Sequence, residues 1–149
     1  MASTIQQPPT MPEFEPAGGH IVQFYETDDF LIDVLSGFMR QGLRAGDACV
    51  VIATQAHRVQ LETQLKAGGL DLAAARRRGT YRTLDAAEML TMFMVEGLPD
   101  PSRFRESVGG EIKRAAKGGR SVRAFGEMVA LLWLEGNPAA ALRLEKLWN

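Results

Sequence analysis

The chain has 149 residues, of which 46% are apolar and 23% charged, and its formal net charge is −1. This length fits one domain with a real core, and a single cysteine, Cys49, cannot form an intrachain disulfide, so a disordered chain and a disulfide scaffold are both excluded. The near-neutral charge argues against direct nucleic-acid binding, and the sequence shows no membrane-spanning run and no secretory signal, so we expect a cytoplasmic protein.

The charge is unevenly distributed along the chain. Residues 1–75 contain four Lys or Arg and nine Asp or Glu, whereas residues 76–149 contain thirteen and nine. The densest basic cluster consists of Arg76, Arg77, Arg78 and Arg82. We interpret it as a solvated turn between a helix and a strand, with a docking patch for phosphate or a partner as the alternative.

The first half of the chain predicts two strands that are each followed by a helix. Residues 1–17 are rich in proline and lack an apolar period, which predicts a flexible tail before a domain over residues 18–149. Residues 21–25 predict a buried strand, and Thr27 or Asp28 then caps a helix that ends near Gly42 or Gly46. The apolar run 48–53 predicts a strand buried on both faces, after which Thr54 caps a helix with Val59, Leu61 and Leu65 on its apolar face, ending at Gly68 and Gly69.

The second half continues the alternation. It predicts a strand at 80–84, a helix at 86–95, a break at 97–101, a helix at 102–117, a strand at 121–125, a helix at 128–134 and a last helix from 138 to the chain end. Strands that alternate with helices in this way predict an α/β sandwich with a mostly parallel sheet.

Ligands of open α/β sheets bind in the crevices at the carboxyl ends of the strands, which selects three loops. The candidates are Tyr25, Glu26, Thr27 and Asp28 after the first strand, Thr54, Gln55 and His57 after the second, and Gly126, Glu127 and Met128 after the fourth. The first of these loops has no glycine and no lysine and presents the carboxylates of Glu26, Asp28 and Asp29. A triphosphate would be repelled there, so the sequence speaks against a P-loop ATPase.

The candidates differ in how well an ordinary structural role explains them. We expect His20 and Glu127 to meet across neighbouring strands, where they could bind the polar head of a ligand or a metal, although a histidine at a strand start is often structural. Tyr25 offers an aromatic wall with a hydroxyl, or simply core packing. Asp28 is interpreted first as a helix cap and His57 as a surface residue. Cys49 lies inside an apolar strand and is a poor nucleophile, and the histidines and cysteine have no zinc spacing.

Five segments carry a family resemblance: His-Ile-Val-Gln-Phe-Tyr-Glu-Thr-Asp at 20–28, Phe-Leu-Ile-Asp-Val at 30–34, Gly-Leu-Arg-Ala-Gly-Asp-Ala-Cys-Val-Val-Ile-Ala-Thr at 42–54, Arg-Ala-Phe-Gly-Glu-Met-Val-Ala-Leu-Leu-Trp-Leu-Glu-Gly-Asn at 123–137 and Leu-Glu-Lys-Leu-Trp-Asn at 144–149. They resemble motifs of the MEDS family (methanogen/methylotroph, DcmR sensory domain). The resemblance runs in the family's order from about Gly19 to the last residue.

The resemblance implies a RecA/KaiC-like three-layer sandwich with a degenerate phosphate loop, acting as a non-enzymatic sensory module without a cofactor or metal. It implies a small hydrocarbon-derived ligand and a signalling partner such as a histidine kinase or a DNA-binding regulator, with a homodimer among the assemblies it allows. Relatives continue into a further strand, so we expect the chain to be part of a longer one. Two alternatives stay open: a diverged ATPase that uses Glu26, Asp28 or Glu127 around Mg²⁺, and a protein-interaction module without a ligand.

Overall fold

The computed structural model of the chain describes the backbone of residues 19–21 and the whole of residues 27–148. The strands are β1 (Gly19–Ile21), β2 (Ala48–Ala53), β3 (Tyr81–Asp85), β4 (Met94–Val95), β5 (Leu98–Pro99) and β6 (Val122–Gly126). The helices are α1 (Asp28–Ala45), α2 (Gln55–Ala67), α3 (Leu72–Arg78), α4 (Ala86–Phe93), α5 (Pro101–Ala115), α6 (Met128–Leu134) and α7 (Pro138–Trp148), with a short 3-10 turn at Lys117–Gly119. This part of the chain therefore has the mixed α/β architecture that the alternation predicts.

Four strands form a parallel sheet in the order β1-β6-β2-β3. The central strand β2 pairs with β6 and β3, so that Val50 lies opposite Ala124 on one side and Arg82 on the other. All six residues of β2 are buried, which confirms the prediction from its uninterrupted apolar run. Within the described residues, none of the helices is long and apolar enough to cross a bilayer.

Helices cover both faces of this sheet. Cys49, Val51 and Phe125 point toward α1, α2 and α3, whereas the alternate residues Val50 and Ala124 point toward α4, α5, α6 and α7. Each face carries its own apolar cluster. The expected mixed α/β fold with a parallel sheet is thus confirmed, while the RecA/KaiC-like three-layer sandwich and the degenerate phosphate loop stay predictions.

The helix boundaries follow the capping residues of the sequence. Thr27 caps α1. The helix continues through Gly42 and ends before Gly46, which has a φ of 90°. Thr54 caps α2, as predicted, because its hydroxyl accepts the N–H of His57. The apolar face predicted for α2 is partly wrong, since Val59 is 58% exposed.

Residues 72–78 form a helix that the sequence interpretation missed. Asp71 caps α3, and Gly79 ends it with a φ of 81°. Arg76, Arg77 and Arg78 are exposed, as expected, but they form the last turn of a helix and not a turn between two elements. Cations are favoured at that position by the helix dipole. Arg82 of the same predicted cluster lies within β3.

Two further boundaries differ from the predictions. The helix expected over 86–95 ends at Phe93, because residues 94–95 pair with 98–99 in an antiparallel hairpin. The turn of this hairpin consists of Glu96 and Gly97, which both have a positive φ. The strand expected at 21–25 begins earlier, at Gly19, and residues 22–26 lie outside the described residues, as does the predicted tail at 1–17.

Candidate functional site

The ends of β2 and β6 and the start of α1 meet at the carboxyl edge of the sheet. The backbone N–H of Glu127 donates to the Ile52 carbonyl at 3.0 Å, which extends the pairing of β6 with β2 by one residue. This bond fixes Glu127 beside Thr54, the cap of α2. The position results from the parallel register, which ends both strands at the same edge.

Glu127 is a nearly buried carboxylate whose two oxygens are both engaged. The Thr54 backbone N–H donates to its Oε2 at 2.6 Å. The His57 ring nitrogen Nδ1 lies 2.9 Å from Oε1 and 3.0 Å from Oε2. Only 10% of the Glu127 side chain is exposed, so these partners offset the cost of removing a charge from water.

His57 lies between two carboxylates, one at each ring nitrogen. Its Nε2 is 3.0 Å from Asp28 Oδ1, opposite the Nδ1 contact with Glu127. Partial burial of the ring lowers the pKa of His57, but the hydrogen bonds and charges of Glu127 and then Asp28 outweigh that effect and raise the pKa above its usual value. Because both nitrogens face acceptors, the geometry fits the imidazolium, which donates from both.

Asp28 is the solvent-exposed member of this cluster. It is the first residue of α1, and 66% of its side chain is exposed. The helix cap is Thr27, whose hydroxyl accepts the N–H of Phe30 at 3.2 Å. The interpretation of Asp28 as primarily a cap is therefore wrong, and the residue instead connects α1 to α2 through His57.

An ion pair beside the site anchors α2 to β3. Arg58 Nη2 donates to Asp85 Oδ1 at 2.9 Å, and Arg58 Nε donates to the Ala53 carbonyl at 3.1 Å. Asp85 also caps α4 by accepting the N–H of Glu88. The start of α2 is thus held on both sides, which fixes His57 over the strand ends.

The structure brings together some of the residues that the sequence selected. Asp28, Thr54 and Glu127 meet around His57, whose interpretation as a surface residue is wrong because only 14% of its side chain is exposed. The available signal was its place three residues after the capping Thr54, at the strand end. His20 lies in β1 opposite Ala124, and its predicted contact with Glu127, like the roles of Tyr25 and Glu26, falls on side chains outside the described residues.

Neither a metal site nor a reactive thiol is evident among residues 27–148. No group of three metal-ligating side chains occurs there, and each nitrogen of His57 is directed at its own carboxylate. Cys49 is buried, and burial raises the pKa of its thiol to about 12 despite the nearby Arg123 charge. The thiol of Cys49 is therefore a poor nucleophile, as the sequence predicts.

Comparison with known proteins supplies one match. No curated protein and no solved structure matches the chain. The family described as MEDS: MEthanogen/methylotroph, DcmR Sensory domain matches residues 19–149, a span that includes the whole parallel sheet and every residue of the His57 cluster. The chain therefore belongs to the MEDS family of sensory domains.

Proposed function

We propose that the domain is a non-enzymatic sensor that binds a small organic ligand at the carboxyl edge of its sheet. It then signals to a partner such as a histidine kinase or a DNA-binding regulator. Membership in a sensory family supports the sensory role. The proposed ligand site rests on one observation: His57 lies between a buried carboxylate on one side and an exposed carboxylate on the other.

The two carboxylates have different roles in this proposal. Glu127 is fixed by the Thr54 N–H and keeps the ring of His57 oriented and charged. Asp28 is exposed and can leave, so a ligand oxygen that accepts from His57 Nε2 takes its place. The ligand class is a small hydrocarbon-derived molecule with one carboxylate or carbonyl group.

Three more residues belong to the proposed site on the sequence argument alone. His20 lies in β1, and Tyr25 and Glu26 stand at and after the end of the strand that the sequence predicts over 21–25. An aromatic wall from Tyr25 would suit the apolar part of such a ligand.

Displacement of Asp28 provides the signal. The contact between Asp28 and His57 connects the first turn of α1 to α2, so its loss loosens one end of α1. An exposed ion pair is worth at most about 1 kcal/mol, which corresponds to about a fivefold shift of a two-state equilibrium. A modest shift of this size suits a domain that biases a partner or a homodimer contact.

The test is a thermal-shift screen of short-chain carboxylates, ketones and alcohols, with Mg-ATP as a separate arm. A ligand at 100 times its dissociation constant adds about 2.7 kcal/mol of stability. Binding should be lost in His57→Gln, Glu127→Ala and Tyr25→Ala. Asp33→Asn is the matched control, because Asp33 also connects α1 to α2, through Gln64, but lies outside the site.

Three outcomes would contradict the proposal. Unchanged binding in the His57 and Glu127 variants would place the ligand elsewhere. Stabilisation or turnover of Mg-ATP that depends on Glu127 would indicate a diverged ATPase. A stable protein complex without any ligand response would indicate a pure interaction module.

A further inference from the structure

A cavity lies on the face of the sheet opposite the His57 cluster. Its volume is about 330 Å³, and it opens between α5, β6 and the end of α7. Its walls are formed by Phe104, Val108, Gly109, Ile112, Val122, Ala124 and Trp148. His57 instead lies on α2, which packs on the other face through Leu61 and Leu65.

The walls of this cavity are mostly apolar. Strand alternation directs Val122 and Ala124 into it, while Arg123 points to the other face. Phe104 and Trp148 meet edge to face, with ring centroids 6.1 Å apart. None of the lining side chains carries a charge, so the cavity selects an uncharged apolar molecule.

Gly109 is the lining residue without a side chain. It lies inside the 15-residue helix α5, where glycine is a poor choice for helix stability. A Cβ built at this position would meet only the Cβ of Arg105, at 4.0 Å. A larger side chain would therefore fit there, and its absence keeps the cavity open where the surrounding core is closely packed.

The volume sets the size of the occupant. An apolar cavity of about 150 Å³ holds benzene, so about twice that volume holds a molecule of about ten to fifteen carbon atoms. We propose that this cavity is a second ligand site, specific for an uncharged apolar molecule of that size. The site uses shape and apolar contact, whereas the site at the carboxyl edge uses hydrogen bonds, and neither proposal depends on the other.

Naphthalene is the probe for this site. Added to the full chain, it should bind saturably at one site and shift the methyl NMR signals of Val108, Ile112 and Val122. The methyl signals of Leu61 and Leu65, on the opposite face, should stay unchanged. Naphthalene-2-sulfonate should bind at least about tenfold more weakly, because the cavity has no partner for its charge.

Substitution of Gly109 separates this site from non-specific uptake. Gly109→Leu should weaken naphthalene binding at least about tenfold and leave the melting temperature equal or higher, because the new side chain fills empty space. Gly110→Leu is the matched control: it makes the same change one residue further along, where a Cβ contacts only the Arg114 guanidinium. It should leave the dissociation constant unchanged.

Three results would overturn the proposal. They are no saturable binding, equal binding by the Gly109→Leu and Gly110→Leu variants, or a large fall in melting temperature that is specific to Gly109→Leu. The last of these would mean that another part of the chain already occupies the space. Naphthalene binding that persists in His57→Gln would show that this site stands even where the proposed edge site fails.

Discussion

Two charged clusters connect β6 to the α1 side of the fold, one at each end of the sheet. At the amino end, Arg123 donates from Nε to Asp47 at 3.0 Å and from Nη1 to the Phe38 carbonyl and Gln41. Its side chain is only 4% exposed, and its guanidinium lies over the Phe38 ring. At the carboxyl end, the corresponding cation is His57, and one of its two carboxylates is exposed.

The two clusters differ in whether their contacts can change. An arginine stays charged at every accessible pH, and four contacts hold Arg123 in a closed environment, so this cluster has one state. A histidine can lose its proton, and Asp28 can be replaced by another acceptor. The two ends therefore combine a fixed anchor with an adjustable contact on the same strand and helix.

The largest expected effect comes from breaking the anchor. Arg123→Met removes the cation and leaves the Asp47 carboxylate buried without it, which should cost about 3 to 5 kcal/mol in the free energy of unfolding. Urea denaturation followed by circular dichroism measures this loss. Removing both charges in Arg123→Met/Asp47→Asn should recover a large part of it, because no unpaired charge then remains. A loss below about 1 kcal/mol for the single variant would mean that the pair is not an anchor.

Breaking the adjustable cluster should cost less. Glu127→Gln keeps an acceptor for the Thr54 N–H but removes the charge beside His57, so we expect a loss of about 1 to 2 kcal/mol at pH 6. The pKa of His57 should fall, because burial of the ring is then opposed by Asp28 alone. NMR titration of the imidazole proton signals measures the change, with Glu62→Gln as a control at a glutamate outside the site. An unchanged pKa of His57 would contradict its contact with Glu127.

The fold was more predictable than the site because the apolar periodicity of the sequence reports burial directly. The uninterrupted apolar run at 48–53 predicted the buried strand β2, which the structure confirms. The starts of α1 and α2 are likewise confirmed at the predicted caps Thr27 and Thr54. Helix α3 was missed because Ala-Ala-Ala-Arg-Arg-Arg has little apolar period. The hairpin after Phe93 was missed because pairing between 94–95 and 98–99 is tertiary information.

Side-chain contacts at the site depend on distances between elements that are far apart in sequence. Strand-end reasoning placed Thr54 and Glu127 at the same edge of the sheet, and the structure brings them into contact there, since this step needs only the parallel topology. The role of His57 depends on the rotation of α2, which turns its third residue toward Glu127, 70 positions away. The sequence does not reveal this rotation and therefore favours a surface position for His57. The structure shows instead that His57 is mostly buried.

The pH dependence of stability should distinguish the two clusters. Folding raises the pKa of His57, so its stabilising contribution is complete below the unfolded value of about 6.5 and is lost as pH rises through the folded value. Relative to His57→Gln, the free energy of unfolding should therefore fall by about 1 kcal/mol between pH 6 and pH 9. Urea denaturation at a series of pH values gives this difference. Arg123→Met should show the same pH dependence of stability as the wild type. A difference in free energy of unfolding between the wild type and His57→Gln that does not change with pH would mean that His57 is not paired.

The smallest expected effect is at the exposed carboxylate, and it tests the proposed signal most directly. Asp28→Asn keeps Thr27 as the cap and should cost at most about 0.5 kcal/mol, because Asp28 is mostly solvated. It should nevertheless speed amide hydrogen exchange in the first turn of α1, because the amide oxygen of asparagine accepts from His57 more weakly than a carboxylate does, and lower the pKa of His57 slightly. Asp33→Asn, which weakens a different α1–α2 contact, should leave both quantities unchanged. Equal exchange in the two variants would mean that Asp28 does not restrain α1, and displacement of Asp28 by a ligand could not then carry a signal.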